Sequence, residues 1–153
     1  MKIAIGSDHG GFALKTALVK FLEGERCEIK DFGTHSKESC DYPIIGFDVA
    51  NAVSAGKFDR GILLCKTGIG MGIIANKLHG VRAAVCYDVD MARASREHND
   101  CNLLVLAANY VDAGKAIQIT KVWLSTAHLG ERHARRIEQI RKLENDLKKR
   151  ERK

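Results

Sequence analysis

The chain has 153 residues, 45% of them hydrophobic, and a formal net charge of +6. This length predicts one domain with a proper core, and no apolar run approaches the length that a membrane-spanning helix needs. The charge does not indicate a nucleic-acid-binding protein, because residues 131–153 hold ten Lys/Arg against five Asp/Glu and supply most of the surplus. Mixed signs at helical spacing are typical of a solvated helix face.

The five cysteines are scattered singly and form no CxxC pair. This pattern disfavours a zinc site, and four of the cysteines are interpreted as core or near-core residues. The first residues, MKIAIGS, predict a strand and lack the charged and apolar regions of a signal peptide. We therefore expect a cytoplasmic protein without disulfides.

Apolar runs alternate with helix-period segments along the whole chain. Strands are predicted, in order, at KIAIGS, CEIKDFG, RGILLC, VRAAVC and NLLVLAA. Helices are predicted at FALKTALVKFLEG, IIGFDVANAVSAG, Ile69–Leu78, MARASREH, AGKAIQITKVWLSTA and from about Gly130. The alternation predicts a doubly wound, three-layer α/β/α fold around a five-stranded parallel sheet. We assign one domain to residues 1–141 and a charged C-terminal helical extension or tail to residues 142–153.

The segment CKTGIG follows the third predicted strand, at the sheet edge where such folds bind ligands. Glycines before a helix let several backbone N–H groups converge on one anion. A cysteine beside Lys66 at this turn would favour its thiolate form, which is a competent base for removing a proton from carbon. The N–H groups and Thr67 would then face the resulting oxyanion. On spacing alone, a core cysteine beside a tight turn is the commoner arrangement.

A dinucleotide site is the main competing interpretation of this turn. Asp88 lies twenty residues after Gly68, where an acid that binds a ribose hydroxyl would be sought. The glycines run GIGMG instead of G-x-G-x-x-G and follow the third strand, so the match is poor. Asp88 is equally well explained as a helix cap.

Other strand and helix ends carry polar candidates. In SDHGG, Asp8 and His9 suit a hydroxyl and a phosphate, although an Asp cap beside an exposed histidine explains them equally well. His98 ends a helix, where a lone histidine is more often a cation that complements the helix dipole. Arg132 and Arg136 are four residues apart and share a face, which suits a phosphate clamp or an ordinary solvated face. Together these candidates suggest aldose–ketose isomerisation of a phosphorylated sugar through an enediolate.

Seven stretches in order along the chain carry a family resemblance: SDHGGFALK, DFGTHSKESCDYP, GILLCKTGIG, IIANK, GVRAAVC, MARASREHND and GERHARRI. Together they resemble the type B ribose-5-phosphate isomerase family, which includes galactose-6-phosphate isomerase subunits. The resemblance covers about residues 2–141 and implies a Rossmann-like fold and homodimers or homotetramers without metal or organic cofactor. It implies interconversion of ribose 5-phosphate and ribulose 5-phosphate, a step of carbohydrate metabolism in the pentose phosphate pathway.

The resemblance also implies a role for each matching residue, in a site at a dimer interface to which two chains contribute. Cys65 corresponds to the base that moves the proton between C1 and C2, Thr67 to the hydroxyl that assists proton transfer between oxygens, and His98 to the ring-opening histidine. The remaining substrate-binding positions are Asp8, Tyr42 and Asn99 for ring hydroxyls, His9, Arg132 and Arg136 for phosphate, and the loop Lys66, Gly68, Ile69 and Gly70 for the enediolate.

Four positions depart from the family pattern. Lys66 and Glu131 stand where glycine is usual, Asn109 where an arginine commonly binds phosphate, and Gly72 where serine is common. Because residues at the rim of a pocket set substrate length and stereochemistry, the same chemistry on a tetrose, hexose or deoxy sugar phosphate stays open. A sugar-phosphate-binding module without catalysis is the remaining alternative. For the protein as a whole we expect no nucleic-acid or membrane partner.

Overall fold

A computed structural model describes residues 1–150 and shows five strands and six helices in that range. Their bounds are β1 (Lys2–Ser7), α1 (Phe12–Glu23), β2 (Glu28–Asp31), α2 (Tyr42–Ser54), β3 (Arg60–Cys65), α3 (Ile69–Ala75), β4 (Ala83–Val85), α4 (Val89–Asn99), β5 (Leu103–Ala107), α5 (Ala113–Ser125) and α6 (Glu131–Arg150). All strand pairs are parallel, in the order β2-β1-β3-β5-β4. The predicted Rossmann-like, doubly wound α/β fold is confirmed.

The sheet is covered on both faces because its central strands are apolar on both sides. One core packs Ile3 and Ile5 of β1 against α1 and α5, with Trp123 fully buried among them. The opposite core packs Ala4 and Leu63 against α2 and α3. Burying a large apolar side chain contributes roughly 1.5–3 kcal/mol to stability. These two cores therefore stabilise the sheet whose strand ends carry the candidate site residues.

Both β4 and α3 are shorter than the sequence predicts. β4 covers only Ala83–Val85 of the predicted VRAAVC, because it is an edge strand. The Asn76 side chain accepts from the Ala83 N–H (2.9 Å) and donates to its C=O (3.0 Å). The helix predicted over Ile69–Leu78 ends at Ala75, next to this asparagine.

The last helix continues without a break from Glu131 to Arg150, so residues 142–150 extend it. They pack on the turn before β4, where Glu144 accepts from the Gly80 N–H at 3.3 Å and Asn145 contacts His79 at 3.1 Å. Residues 151–153 of the predicted extension lie outside the described residues, and the division at residue 141 stays a prediction. No helix within residues 1–150 is long and apolar enough to cross a membrane.

The strand order places a crevice between the carboxyl ends of β1 and β3. β1 pairs with β2 on one side and with β3 on the other, which makes this point the topological switch where doubly wound folds bind ligands. The two strands deliver Asp8 and Lys66 to the same edge, and the Asp8 N–H donates to the carbonyl of Leu64 at 3.3 Å.

Candidate active site

The Cys65 thiol lies in a glycine-rich loop at the end of β3. It is only 5% exposed, and its Sγ accepts a hydrogen bond from the Gly68 N–H at 3.1 Å. Gly68 adopts φ +77°, and a Cβ there would lie 2.8 Å from Val85 Cγ1. Only glycine fits this combination of backbone and space, so the loop is shaped around the sulfur.

Thr67, Ile69 and Gly70 complete the loop. The Thr67 hydroxyl accepts from the Ile69 N–H at 3.3 Å, and the Tyr87 hydroxyl donates to the Thr67 carbonyl at 3.4 Å. The Tyr42 ring lies directly over Gly70, because a Cβ added there would sit 2.6 Å from Tyr42 Cζ. Tyr42 is thereby brought from the start of α2 to the edge of the cysteine loop.

The loop after β1 forms the opposite wall of the crevice. The Asp8 carboxylate is buried and accepts from the Gly11 N–H at 3.0 Å. His9 Nδ1 lies 3.3 Å from both the N–H and the C=O of Cys40, which holds the imidazole against the segment before α2. Gly11 approaches β3 so closely that a Cβ would meet the Leu64 carbonyl at 2.7 Å. The loop that carries Asp8 and His9 therefore lies next to the end of β3, where the cysteine loop begins.

The Lys66 side chain crosses from the cysteine loop to the β1 loop. A Cβ on Gly10 would lie 2.5 Å from Lys66 Cγ and 3.2 Å from its Cε, so the aliphatic stem rests on Gly10. The Lys66 carbonyl accepts from the Asn109 N–H at 3.0 Å, which fixes the backbone. The exposed Lys66 ammonium makes no ion pair or hydrogen bond within residues 1–150. An unpaired cation therefore stands at the rim of the crevice, one bond beyond Cε.

The remaining predicted residues form a second cluster, at the junction of α4 and α6. His98 and Asn99 end α4, and Arg132 and Arg136 occupy the first turns of α6. The His98 ring stacks on the His133 ring with centroids 4.5 Å apart and planes 12° apart. All four predicted residues are exposed, whereas His133 is 7% exposed.

One chain does not bring the two clusters together. α4 ends just before β5 begins, so His98 lies near the amino end of that strand, while Cys65 pairs with Ala107 at its carboxyl end. β5 runs from Leu103 to Ala107, and at the usual rise per residue its ends are about 13 Å apart. The two clusters therefore lie at opposite ends of the strands.

The other buried thiols differ from Cys65 in their surroundings. Burial raises the pKa of Cys86 to about 12 and that of Cys101 to about 11, so both stay protonated at neutral pH as small core residues. This agrees with their interpretation from the sequence. No group of three or more His, Cys, Asp or Glu residues within positions 1–150 has an arrangement that could hold a metal ion.

Glu131 shows why glycine is usual at its position. Its φ is +47° at the start of α6, a left-handed conformation that costs about 1–2 kcal/mol for a residue with a Cβ. Gly130 just before it also has a positive φ of +73°. The chain therefore tolerates strain in the turn that presents Arg132.

Sequence reasoning missed Lys15, a buried cation that holds the loop after β2 in place. It is 1% exposed, and its Nζ donates to both Asp31 oxygens (2.6 and 2.5 Å) and to the Thr34 carbonyl (2.8 Å). The Thr34 N–H in turn donates to the Ser7 carbonyl at 2.6 Å. Lys15 thus ties the loop after β2 to the end of β1. Its place on the apolar face of α1, three residues before Leu18, was the available signal.

A family model described as Ribose/Galactose Isomerase matches residues 3–140. The chain belongs to this family. The ribose-5-phosphate isomerase B of Escherichia coli (strain K12) is 44% identical to this family member over 143 residues, covering 94% of this chain and 96% of that protein. The predicted family and the predicted enzyme class, a sugar-phosphate isomerase, are confirmed.

Solved structures of family members have the same fold. Ribose-5-phosphate isomerase B of Clostridium thermocellum matches with a TM-score of 0.93 and 50% identity, covering 96% of this chain and 99% of that one. The Mycoplasma genitalium enzyme with bound ribulose-5-phosphate matches with a TM-score of 0.91 and 35% identity, covering 94% and 96%. A relative of different specificity, D-erythrulose-4-phosphate isomerase of Pectobacterium atrosepticum (strain SCRI 1043), is 36% identical over 141 residues, covering 92% and 93%.

Proposed function

We propose that this sugar-phosphate isomerase interconverts ribose 5-phosphate and ribulose 5-phosphate through an enediolate, with Cys65 as the base. The observation that carries the proposal is the Cys65 sulfur, nearly buried and accepting the Gly68 N–H at 3.1 Å within the glycine loop. The Gly68 N–H holds the sulfur in a fixed position, which a base that removes a proton from one particular carbon requires. The names of the Escherichia coli relative and of the structural neighbours support this substrate.

The proposed reaction moves one proton between neighbouring carbons. His98 assists opening of the furanose ring by taking the proton of the C1 hydroxyl while the ring oxygen gains one. The Cys65 thiolate removes the C2 proton, and the electron pair forms the C1–C2 double bond while the carbonyl oxygen O1 becomes an oxyanion. N–H groups of the loop stabilise that charge. Thr67 relays the O2 proton to O1, and the Cys65 thiol returns its proton to C1.

The other site residues would hold the substrate around these atoms. Asp8, Tyr42 and Asn99 bind sugar hydroxyls, and His9, Arg132 and Arg136 bind the phosphate. A carboxylate and two guanidinium groups suit these partners because charged hydrogen bonds are about twice as strong as neutral ones. This assignment requires residues from both clusters in one pocket.

We infer that a second copy of the chain supplies the missing half. Beside the cysteine loop, α2 and α3 expose the large apolar residues Ile44, Phe47, Ile69 and Ile73. Contiguous exposed apolar residues are typical of an interface, and a symmetric pair would place the His98 cluster of each copy against the Cys65 loop of the other. We propose a homodimer as the unit that completes the site; a homotetramer would contain the same pairs.

Mixed dimers test the shared site directly. Cys65→Ala and His98→Asn each inactivate both pockets of their own dimer. When the two variants are denatured and refolded together in equal amounts, half of the dimers are mixed, and one of the two pockets in each is intact. About a quarter of the wild-type activity should return under this random pairing. Activity that stays at the level of the separate variants would refute a site built from two chains.

A different phosphosugar is the second candidate, favoured by Lys66 and by the name of the Pectobacterium relative. The Lys66 ammonium reaches over Gly10, where it would contact a sugar oxygen or the phosphate and so influence chain length. A tetrose phosphate is shorter than a pentose phosphate, and a cation at the rim would help to hold it. The cytoplasmic location and the place in the pentose phosphate pathway stay predictions.

The experiment that decides among these functions follows the loss of the C2 proton to D₂O from aldose phosphates of four to six carbons. Ribose 5-phosphate should exchange fastest, and Cys65→Ala should slow the exchange by about 10²–10⁴-fold, the usual contribution of a general base. Cys27→Ala, which changes a half-buried thiol away from the crevice, is the matched control. Exchange with another sugar only would transfer the assignment to that sugar. Binding without exchange in the wild-type protein would establish a non-catalytic binding module.

A further inference from the structure

His133 lies in the cluster at the α4–α6 junction, between two of the proposed substrate-contacting residues. Its ring is stacked on His98 at 4.5 Å, nearly parallel. On its edge, Nε2 accepts a hydrogen bond from Arg132 Nε–H at 3.4 Å. His133 is 7% exposed, whereas both neighbours are exposed. A single buried ring therefore touches the proposed ring-opening histidine and the proposed phosphate arginine.

Backbone hydrogen bonds near His133 join the end of α4 to the start of α6. The His133 N–H donates to the Gly130 carbonyl at 3.0 Å, and the Leu129 N–H donates to the Glu97 carbonyl at 3.1 Å. The turn before α6 is thus bonded to the last turn of α4. A ring held in this junction has few alternative positions, so it restricts the movement of the exposed side chains that contact it.

We propose that His133 is a positioning residue that fixes the His98 imidazole and the Arg132 guanidinium relative to each other. The proposal rests on the proposed function, in which His98 opens the sugar ring and Arg132 binds the phosphate of the same molecule. These two groups act at opposite ends of a pentose phosphate. Their spacing therefore has to match the length of the substrate, and His133 sets that spacing through one stack and one hydrogen bond.

The protonation state of His133 suits this role. Burial, then the charges of His98, Arg132, Arg136 and His128, lower the pKa of His133. These are the groups that face it from α4, from its own helix and from the segment between α5 and α6. A neutral ring keeps a lone pair on Nε2 for the Arg132 donor and places its proton on Nδ1. A protonated ring would lose that bond and repel the guanidinium.

Two substitutions separate the two contacts. His133→Phe keeps a flat ring under His98 and removes the acceptor for Arg132, whereas His133→Gln keeps an acceptor near the Nε2 position and removes the ring. We expect His133→Phe to raise the Kd for ribose 5-phosphate about tenfold, with kcat within about threefold of wild type. We expect His133→Gln to lower kcat about tenfold or more, with the Kd nearly unchanged, because the catalytic imidazole is misplaced. Kd is measured calorimetrically with Cys65→Ala added, so that substrate is not consumed.

The same two substitutions at His79 are the matched controls. His79 is exposed and contacts Asn145 on the far part of α6, so both changes there should leave Kd and kcat as in wild type. Thermal unfolding and the oligomeric state are measured for every variant. If Phe and Gln at position 133 change Kd and kcat in the same way, in proportion to their loss of stability, His133 is only a packing residue and the proposal is wrong.

A measurement on the unmodified protein tests the geometry even if both variants fail to fold. The imidazole ¹⁵N and ¹H signals of His133 at pH 7 should show a neutral ring protonated on Nδ1, with Nε2 as the acceptor. A ring protonated on Nε2, or charged, would overturn the proposal. This measurement needs no turnover, so its outcome is independent of the proposed function. A protein that isomerises no aldose phosphate would refute the function, whereas the imidazole signals would still show whether His133 accepts the hydrogen bond from Arg132.

Discussion

Replacing Gly68 by alanine tests whether the cysteine loop is shaped by the steric freedom of this one residue. The φ of +77° costs a residue with a Cβ about 1–2 kcal/mol. The new Cβ would also lie 2.8 Å from Val85 Cγ1 and 3.4 Å from Val105 Cγ1, and overpacking of this kind costs about 1–3 kcal/mol. We expect Gly68→Ala to lower the free energy of unfolding by about 2–5 kcal/mol, the sum of the two terms.

Urea unfolding at a fixed protein concentration measures this loss, and Gly56→Ala is its matched control. Gly56 has a similar φ of +68° but nothing within 4 Å of the added Cβ, so only the backbone cost of about 1–2 kcal/mol applies. Relief of the clash at Gly68 requires the backbone to turn, which moves its N–H away from the Cys65 sulfur. C2 proton exchange should therefore fall in Gly68→Ala and not in Gly56→Ala. Equal losses of stability, or full exchange in Gly68→Ala, would refute the reasoning.

Three further predictions concern Lys66, Lys15 and His133. Lys66→Met keeps the stem on Gly10 and removes the charge, so KM should rise severalfold while Tm is unchanged. Lys57, an exposed lysine just after α2, is the control position. An unaltered or lower KM, or no difference from Lys57→Met, would exclude a role in binding. Lys15→Met should lower the free energy of unfolding by about 2–4 kcal/mol. This loss is smaller than that for breaking a fully buried ion pair, because the Asp31 side chain is 29% exposed. A loss below about 1 kcal/mol would contradict the prediction. Because the pKa of His133 is lowered on folding, the unfolded chain binds the extra proton first. Stability should therefore fall as pH drops through the ordinary histidine pKa of about 6.5, and His133→Gln should show a smaller fall between pH 7 and 5.5.

The layers and the cysteine loop could be predicted from the sequence because their signals are local. Alternating apolar runs and helical segments give a parallel sheet, and the cysteine before closely spaced glycines indicates a tight loop at the carboxyl end of the third strand. The strand order was not predictable in the same way. β5 inserts between β3 and β4, and nothing in the similarly apolar strands VRAAVC and NLLVLAA indicates which of the two lies at the edge.

The missing parts of the site depend on contacts between segments far apart in the chain. The sequence places Lys66 in the loop, but its direction follows from the absence of a side chain on Gly10. His133 was visible within GERHARRI, yet its role depends on a stack with a residue of another helix. Spacing within one segment carries no information about such contacts.

Under the proposed two-chain site, the separation of the two clusters makes catalysis depend on protein concentration. If each pocket needs the β3 edge of one chain and the α4–α6 junction of another, an isolated chain is folded yet inactive. Specific activity would then be constant at high protein concentration and decline on dilution, with a midpoint near the dissociation constant of the pair. Substrate bridging both chains would shift that midpoint downward. The abundance of the protein would thus set not only how many active sites exist but also what fraction of the chains takes part in one.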